Sequence, residues 1–292
     1  MNVHSPSWMS RGLVAALLAG LLIVAAILAW PAGGAQGEFR SDALVLAGCG
    51  SNAPALRVLA EAFRVRHPEL IVQIQSIGST NGIWMAARGA VPAGLVSRAL
   101  REEELGLGLT IAPYARTPLV LAGHPTVPDD GISTRELLAL YQGAHHRWRT
   151  GEQVALLTRE EGDSSVQLLR RALPGFRRAY RQGIVRGWGT VVYSEQQMHR
   201  ALTTTPFALG LSDLGTLTVE RPPLKALNVN GVAPTLENLA SGRYPFAKTL
   251  AFVFRPEKVP AELQRFFAFV QSPQGHGVLR AHGYLPLGSE RP

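Results

Sequence analysis

Three times the chain passes from an apolar, strand-like run through a small polar loop into a stretch that favours a helix. The loops are Gly50-Ser51-Asn52, Gly78-Ser79-Thr80-Asn81-Gly82 and Gly162-Asp163-Ser164-Ser165. Strand-like and helix-like stretches also alternate along the rest of the chain, which predicts an α/β protein with largely parallel sheets. The first N–H groups of each helix point outward with the positive end of the helix dipole, so each loop is a candidate anion contact.

Arg159 ends the strand before the third loop and is the candidate fixed charge of such a site. Its guanidinium offers a planar fork of N–H donors that matches an oxyanion. A serine at a helix start is more often only a cap, so that interpretation stays open for each loop taken singly.

The first 35 residues predict export. Residues 12–30 carry no charge, and the small residues that follow suit cleavage after Ala35. The uncharged run is longer than a usual signal-peptide core and approaches the ~20 residues that span a bilayer. A cleaved signal peptide and a retained inner-membrane anchor facing the periplasm both remain open for residues 1–35, followed by a linker at 36–42. In both cases we expect the remainder in the periplasm or cell envelope.

The chain has one cysteine, Cys49, in the sequence Leu46-Ala47-Gly48-Cys49, which matches a lipoprotein box. A lipidated cysteine directly follows the apolar run, whereas charged linker residues separate Cys49 from residue 30. We therefore expect Cys49 to be an unmodified, buried residue at the end of the first strand. A single cysteine also excludes an intramolecular disulfide.

Enzyme signatures are weak. The pattern Gly48-x-Gly50-x-x-Ala53 matches the dinucleotide fingerprint, but the second strand lacks the acid expected about 20 residues later. A nucleotide-dependent oxidoreductase is therefore the least favoured alternative. The eight histidines show no ligand spacing and there is no GxSxG. We expect no catalysis, no metal and no cofactor.

Six arginines and no acid lie in residues 170–186. The favoured interpretation is a solvated helical face, because no nucleic-acid-binding module accompanies it. We expect no nucleic-acid partner; an anionic lipid or an acidic protein remains the alternative.

Order and spacing of several motifs resemble the PstS-like family, the phosphate-binding proteins of ABC transporters. They are GSN (50–52), IGSTNGI (77–83), GLVSRALREEEL (94–105), STRELLALYQGAHHRW (133–148), REEGDSS (159–165), PFALGLSDLG (206–215), NVNGVAPTLENLASGRYPFAKTL (228–250) and SPQGHGVLRAHGYLPL (272–287).

The resemblance implies a two-lobed, type II periplasmic-binding fold, with lobe 1 at 41–117 plus 232–292 and lobe 2 at 118–231. It implies a monomer that clamps an oxyanion, with inorganic phosphate as the expected ligand, and ABC-transporter membrane subunits as partners. A membrane-tethered sensor or protein-interaction module with altered or lost phosphate binding is the alternative. The site residues that it implies are Ser51, Asn52, Ser79, Ser97, Arg159, Asp163, Ser164 and Ser165.

The sequence departs from the family pattern at Asp163, where the family has serine, and at Ser97, where some members have aspartate. A carboxylate at 163 repels an anion. In one hypothesis Asp163 accepts the proton of a protonated oxyanion, which keeps phosphate and disfavours sulfate. In the other, Asp163 pairs with Arg159 and the site has lost phosphate or binds something else.

Overall fold

The computed structural model describes residues 43–144 and 147–288, within one compact unit that begins at Asp42. The predicted signal peptide or anchor (1–35) and the linker (36–42) lie outside the described residues. The strands are β1 Ala43–Gly48, β2 Ile71–Ser76, β3 Ala93–Val96, β4 Thr110–Gly123, β5 Gly131–Ile132, β6 Ala155–Arg159, β7 Thr190–Val192, β8 Ala208–Asp213, β9 Lys225–Val229, β10 Ala247–Phe254 and β11 Leu285–Pro286. The helices are α1 Ala53–Arg64, α2 Ser79–Ala87, α3 Glu102–Leu105, α4 Thr134–Gln142, α5 Ser164–Ala172, α6 Phe176–Val185, α7 Glu195–Thr204, α8 Leu214–Glu220, α9 Leu236–Ala240, α10 Ala261–Val270 and α11 Pro273–Ala281.

Local sequence signals explain where several helices begin and end. Ser133 caps α4 by accepting the backbone N–H of Glu136, whose carboxylate returns to the Ser133 backbone, and Gly143 ends the helix at φ 75°. The sequence predicts one final helix over about 260–281, whereas the structure has two, α10 and α11. Pro273 cannot donate to the preceding turn, and Ser272 caps a new helix through the Gly275 N–H.

The strands pair in the order β2-β1-β3-β10-β4-β8-β6-β7. Parallel pairs lie towards the two ends of this order, where β1 joins β2 and β3, and where β6 joins β7 and β8. The middle is antiparallel, because β10 pairs with β3 and β4, and β4 with β8. The predicted α/β class is confirmed, with two parallel groups joined by β4 and β10.

Strand β4 contributes side chains to the hydrophobic cores on both sides of the chain reversal between the two parallel groups. Its first part pairs with β10 and places Tyr114 in a core with Phe63 and Phe266. Its last part pairs with β8 and places Leu121 in a core with Phe176. Because each parallel group packs its own helices, the loops at the strands' carboxyl ends are free to line a shared cavity.

None of the helices within residues 43–144 and 147–288 combines the length and apolarity needed to cross a membrane.

Candidate functional site

A cavity of about 350 Å³ lies where the loops after β1, β2, β6 and β7 meet. The helices α2, α5 and α7 begin at this cavity, at Ser79, Ser164 and Glu195. The three loops predicted from the sequence therefore converge, and a fourth one, before α7, joins them. The lining residues are Cys49, Gly50, Ser76, Ile77, Gly78, Ser79, Thr80, Asn81, Arg159, Glu160, Gly162, Asp163, Ser164, Tyr193, Ser194, Glu195 and Gln196.

Two glycines allow close backbone packing around the end of β1, where the first loop begins. A Cβ on Gly48 would lie 2.1 Å from the Leu95 carbonyl oxygen, and one on Gly82 would lie 2.6 Å from the Ala47 carbonyl oxygen. Both contacts are with backbone, which cannot move aside as a flexible side chain can. Glycine at 48 lets β3 lie against the end of β1, and glycine at 82 lets α2 pack directly on that end, beside the loop that carries Gly50.

Arg159 lines the cavity at the end of β6 and is only 7% exposed. Its Nη2 lies 3.0 Å from Asp163 Oδ2 and 3.2 Å from the Tyr193 carbonyl oxygen. Its Nε and Nη1 have no hydrogen-bond partner among the described residues. Buried N–H groups are almost always paired in native proteins, so these donors are the strongest local indication of an anionic ligand.

Asp163 uses both of its carboxylate oxygens within the protein. Its Oδ1 accepts the Ser165 backbone N–H at 2.8 Å, which caps α5, and its Oδ2 pairs with Arg159. The pairing on which the second hypothesis rests is therefore present. It engages one guanidinium nitrogen of Arg159 and leaves the other two.

Ser79 and Ser164 also line the cavity. The Ser79 Oγ is buried and has no partner in the part of the chain that the structure describes. Ser164 is buried, with its Oγ 3.7 Å from the Cys49 Sγ. Cys49 is free and buried at the end of β1, as predicted, and it also lines the cavity.

The other four predicted residues do not line the cavity: Ser51, Asn52, Ser97 and Ser165. Asn52 accepts a hydrogen bond from the Tyr114 hydroxyl at 2.9 Å and donates to the Val96 carbonyl at 3.2 Å. The Ser97 Oγ lies 2.8 Å from the Cys49 Sγ. These side chains are buried and hold the loops, so a direct contact to ligand stays a prediction for them.

Glu195 is a cavity residue that the sequence reasoning missed. It is the first residue of α7, capped by Ser194, and it packs against Gly50, whose Cβ would lie 3.1 Å from the Glu195 Cγ. Its Oε1 accepts a hydrogen bond from the Ser51 Oγ at 2.9 Å. The sequence does contain a signal for this junction: Ser194-x-x-Gln197 follows the valines of β7 and has the pattern of a capped helix start after a strand.

Behind Glu195 lies a buried lysine, Lys248, which is 0% exposed. Its Nζ donates to the Ser51 Oγ at 2.8 Å and lies 3.9 Å from Glu195 Oε1 and 3.8 Å from Asp213 Oδ2. Ser51 therefore relays between the lysine and the carboxylate of Glu195. Nothing in the apolar sequence around Lys248 distinguishes it from a lysine at a strand end.

The ionisation of this group follows from burial and charge together. Burial raises the pKa of Glu195, but Lys248, Arg159 and the Ser51 hydrogen bond outweigh it and hold the pKa below its usual value. Burial dominates for Asp213, whose pKa is raised despite Lys248. Burial lowers the pKa of Lys248, yet Glu195 and Asp213 outweigh it and raise the pKa. Glu195 is therefore an anion that faces the cavity at neutral pH.

Metal chemistry has no support in the side-chain arrangement. Across the two described ranges, no group of three or more His, Cys, Asp or Glu side chains is placed to hold a metal ion.

Comparison with known proteins gives consistent relatives. The model of the PBP superfamily domain matches residues 33–274. The phosphate-binding protein PstS of Bacillus subtilis is 27% identical over 220 residues, which cover 72% of this chain and 70% of that protein. The PstS of Borreliella burgdorferi is 22% identical over 217 residues, which cover 72% of this chain and 77% of that protein.

A solved structure supports the fold. The putative phosphate ABC transporter substrate-binding protein of Clostridium perfringens, solved with bound phosphate, superimposes with a TM-score of 0.75 at 20% identity, covering 84% of this chain and 99% of that one. At this identity the likeness establishes the fold and leaves the ligand to be argued from the cavity. The chain belongs to the PBP superfamily, as a PstS-like member with the type II periplasmic-binding fold.

Proposed function

We propose that the chain is an exported solute-binding protein that holds an oxyanion in the Arg159 cavity for uptake by an ABC transporter. Inorganic phosphate is the ligand that we propose, and the protein catalyses nothing. The observation that carries the proposal is the pair of unpartnered donors, Nε and Nη1, on the buried Arg159. The PstS name of its relatives supports phosphate as the ligand.

The helix starts supply the remaining donors of the proposed site. The unpartnered Ser79 Oγ lies at the first residue of α2, and Ser164 opens α5. An anion between them would accept N–H groups at the positive ends of both helices. In this arrangement Arg159 supplies the charge, while the serines and backbone supply direction.

Three acidic residues line the cavity; Glu160 is exposed, and the two less exposed ones, Asp163 and Glu195, restrict which oxyanion fits. Asp163 is already neutralised by Arg159. Glu195 accepts the Ser51 hydroxyl through Oε1, and its Oε2 accepts no hydrogen bond from the part of the chain that the structure describes. A ligand that carries its own hydrogen turns the repulsion by Glu195 into a hydrogen bond. We therefore move the proton-accepting role from Asp163 to Glu195. This favours protonated phosphate over sulfate, which has no proton to donate at neutral pH.

The two-lobed mechanism uses the predicted lobes, 41–117 plus 232–292 and 118–231. Gly50 and Ser79 come from the first lobe, and Arg159, Ser164 and Glu195 from the second. A ligand that bonds both sets would favour closure, because it has differential affinity for the closed state.

The alternative function is a tethered sensor or interaction module with altered phosphate binding. The observation that favours it is the Arg159–Asp163 ion pair, which competes with an anion for one edge of the guanidinium. Co-purification with transporter membrane subunits favours uptake, and its absence together with phosphate binding favours sensing.

Calorimetric titration of the purified chain with phosphate, sulfate and molybdate tests the proposal. We expect phosphate to bind. Sulfate should bind at least about a hundredfold more weakly, because sulfate offers no hydrogen for the Glu195 carboxylate to accept. Arg159→Gln should weaken phosphate binding by about a hundredfold or more, since hydrogen bonds to charged groups contribute about 1.5–3 kcal/mol each. Arg243→Gln, at an exposed surface ion pair, is the matched control and should bind normally. No heat with any of the three anions would refute the proposal.

A further inference from the structure

One long segment between two cavity residues has no acidic side chain. Residues 164–194, from Asp163 to Glu195, contain six arginines and neither aspartate nor glutamate. They form α5, α6 and β7. The anion site proposed above uses Ser164 of this segment and none of its arginines.

Helix α6 divides this segment into a buried and an exposed side. Its buried residues pack into the protein: Phe176, Ala179, Tyr180 and Gly183. Its exposed residues, called here the α6 face, are Arg177, Arg178, Arg181, Ile184 and Val185. At 3.6 residues per turn these five positions fall within an arc of about 120°. They therefore form a single surface in which three arginines lie beside two aliphatic side chains.

The aliphatic members of the α6 face are exposed to an unusual degree. Val185 is 87% exposed and Ile184 is 42% exposed. Single exposed aliphatic residues are common on soluble proteins, but two adjacent ones beside three exposed arginines indicate a contact surface.

The positive charge of the α6 face is only partly balanced within the protein. Glu161 pairs with Arg181 at 3.3 Å and with Arg170, outside the face, at 3.1 Å. Arg177 and Arg178 make no ion pair among residues 43–144 and 147–288. The face therefore attracts an anionic partner at neutral pH.

We propose that the α6 face docks on an anionic bilayer surface. The arginines would contact phosphate and carboxylate headgroups through bidentate hydrogen bonds, and Ile184 and Val185 would enter the boundary between headgroups and acyl chains. Basic residues on the polar side and aliphatic residues on the other edge of one helix are the pattern of interfacial helices.

The chain offers an independent reason to choose lipid over an acidic protein. The uncharged run at 12–30 is separated from the compact unit beginning at Asp42 by residues 31–41. Fully extended, that stretch spans at most about 40 Å. An uncleaved run in the bilayer would tether the compact unit to the membrane and raise the effective concentration of lipid headgroups at its surface, where weak docking suffices.

A fluorescent probe on the α6 face tests the docking in the full chain. Val185→Cys labelled with an NBD dye is reconstituted in vesicles of phosphatidylcholine alone, or with roughly 30% phosphatidylglycerol. The native thiol, Cys49, is buried, and a labelled unmutated chain measures any background. Val65→Cys is the matched control. Val65 is 81% exposed and directly follows α1, which packs in the core that contains Phe63 and not in that of α6.

We expect a blue shift of the Val185 probe in anionic vesicles, none in neutral ones, and none at Val65. The shift should reverse at about 0.5 M salt, because headgroup attraction is screened. Each arginine strengthens docking about fivefold, so Arg177→Gln/Arg178→Gln/Arg181→Gln should lower the docked-to-undocked ratio on the order of a hundredfold. Circular dichroism checks that the triple variant folds. If it does not fold, the double variant Arg177→Gln/Arg178→Gln, which breaks no ion pair among the described residues, is used in its place.

Three outcomes overturn the proposal: no spectral change at position 185 in anionic vesicles, an equal change at position 65, or an unchanged shift in the arginine variants. A shift caused by soluble polyglutamate in neutral vesicles, but not by anionic lipid, would also overturn it and would assign the face to an acidic protein.

Discussion

Replacing Lys248 by methionine should destabilise the protein strongly, although Lys248 is not at the surface of the cavity. The side chain is fully buried, and its Nζ lies within 3.9 Å of Glu195 and Asp213 and donates to Ser51. Methionine matches the length of the lysine stem, so the change removes the charge and the donor while creating little empty space.

The magnitude follows from what the substitution leaves behind. Removing one partner of a buried ion pair typically costs about 3–5 kcal/mol, because the remaining charge is uncompensated. Two carboxylates remain here, but the already raised pKa of Asp213 lets it take up a proton, which limits the loss. We therefore expect about 3 kcal/mol, or roughly 6–12 °C in Tm for a unit of this size.

The loss should depend on pH with a defined sign. Lys248 is the largest charge lowering the pKa of Glu195 and of Asp213, so both pKa values rise when it is removed. A carboxyl with a raised folded-state pKa destabilises when it is ionised, and the penalty disappears as pH falls through that pKa. The difference between variant and wild type should therefore be larger at pH 8 than at pH 5.

Thermal and urea unfolding, followed by circular dichroism across this pH range, measure the effect. Lys225→Met is the matched control, because Lys225 pairs with the largely exposed Asp130 and should cost at most about 1 kcal/mol. If Lys248→Met and Lys225→Met lost the same stability, or if the loss grew towards acid pH, the account of the buried cluster would be wrong.

Three further predictions concern the cavity and its surroundings. Glu195→Gln should keep phosphate binding but reduce the preference for phosphate over sulfate by about tenfold or more, whereas Asp163→Asn should change the preference little; calorimetry that showed the reverse would return the acceptor role to Asp163. Bound phosphate should slow the reaction of Cys49 with a thiol reagent, because Cys49 lines the cavity, and an unchanged rate would place the anion elsewhere. Burial lowers the pKa of His199, but Glu220 and neighbouring acids outweigh it and raise the pKa, so its pairing contributes stability below pH ~6.5 that is lost as pH rises through the folded-state pKa. His199→Gln should remove that decline, by about 1 kcal/mol or less, and urea unfolding of both proteins at pH 6 and pH 8 measures it.

The parts of the fold that depend on neighbours in sequence could be predicted. Helix α4 is an example, since Ser133, Glu136 and Gly143 mark its two ends through contacts within the same short segment. The small polar loops after β1, β2 and β6 could be recognised for the same reason. Their convergence could not be read from the sequence, because it depends on strand order, which places the carboxyl ends of β1, β2 and β6 around one cavity.

The short strands and the buried cluster could not be predicted. Strand β3 has four residues and β7 has three, too few for a period-two pattern to be distinguished from a loop. Ser51 and Lys248 are 197 positions apart, and only the antiparallel placement of β10 beside β3 and β4 brings them together. The bridge that Ser51 makes between Lys248 and Glu195 is therefore visible only in the structure, and its contact with a ligand stays a prediction.

The contrast between the two cavity carboxylates also bears on what Asp163 does. A serine at that position would remove the ion pair of Arg159, and the net charge of the site would be more positive by one. With Asp163 present, one of the three guanidinium nitrogens is ion-paired and the charge of Arg159 is balanced, so a dianion gains less from entering. Glu195 also disfavours a dianion, because its carboxylate is kept ionised by Lys248 and by Arg159 itself.

A cavity with this balance of charges should prefer the monoanion of phosphate to the dianion. Phosphate affinity should therefore rise from pH 8 to pH 6 in the wild-type protein, and Asp163→Asn should flatten that rise without abolishing binding.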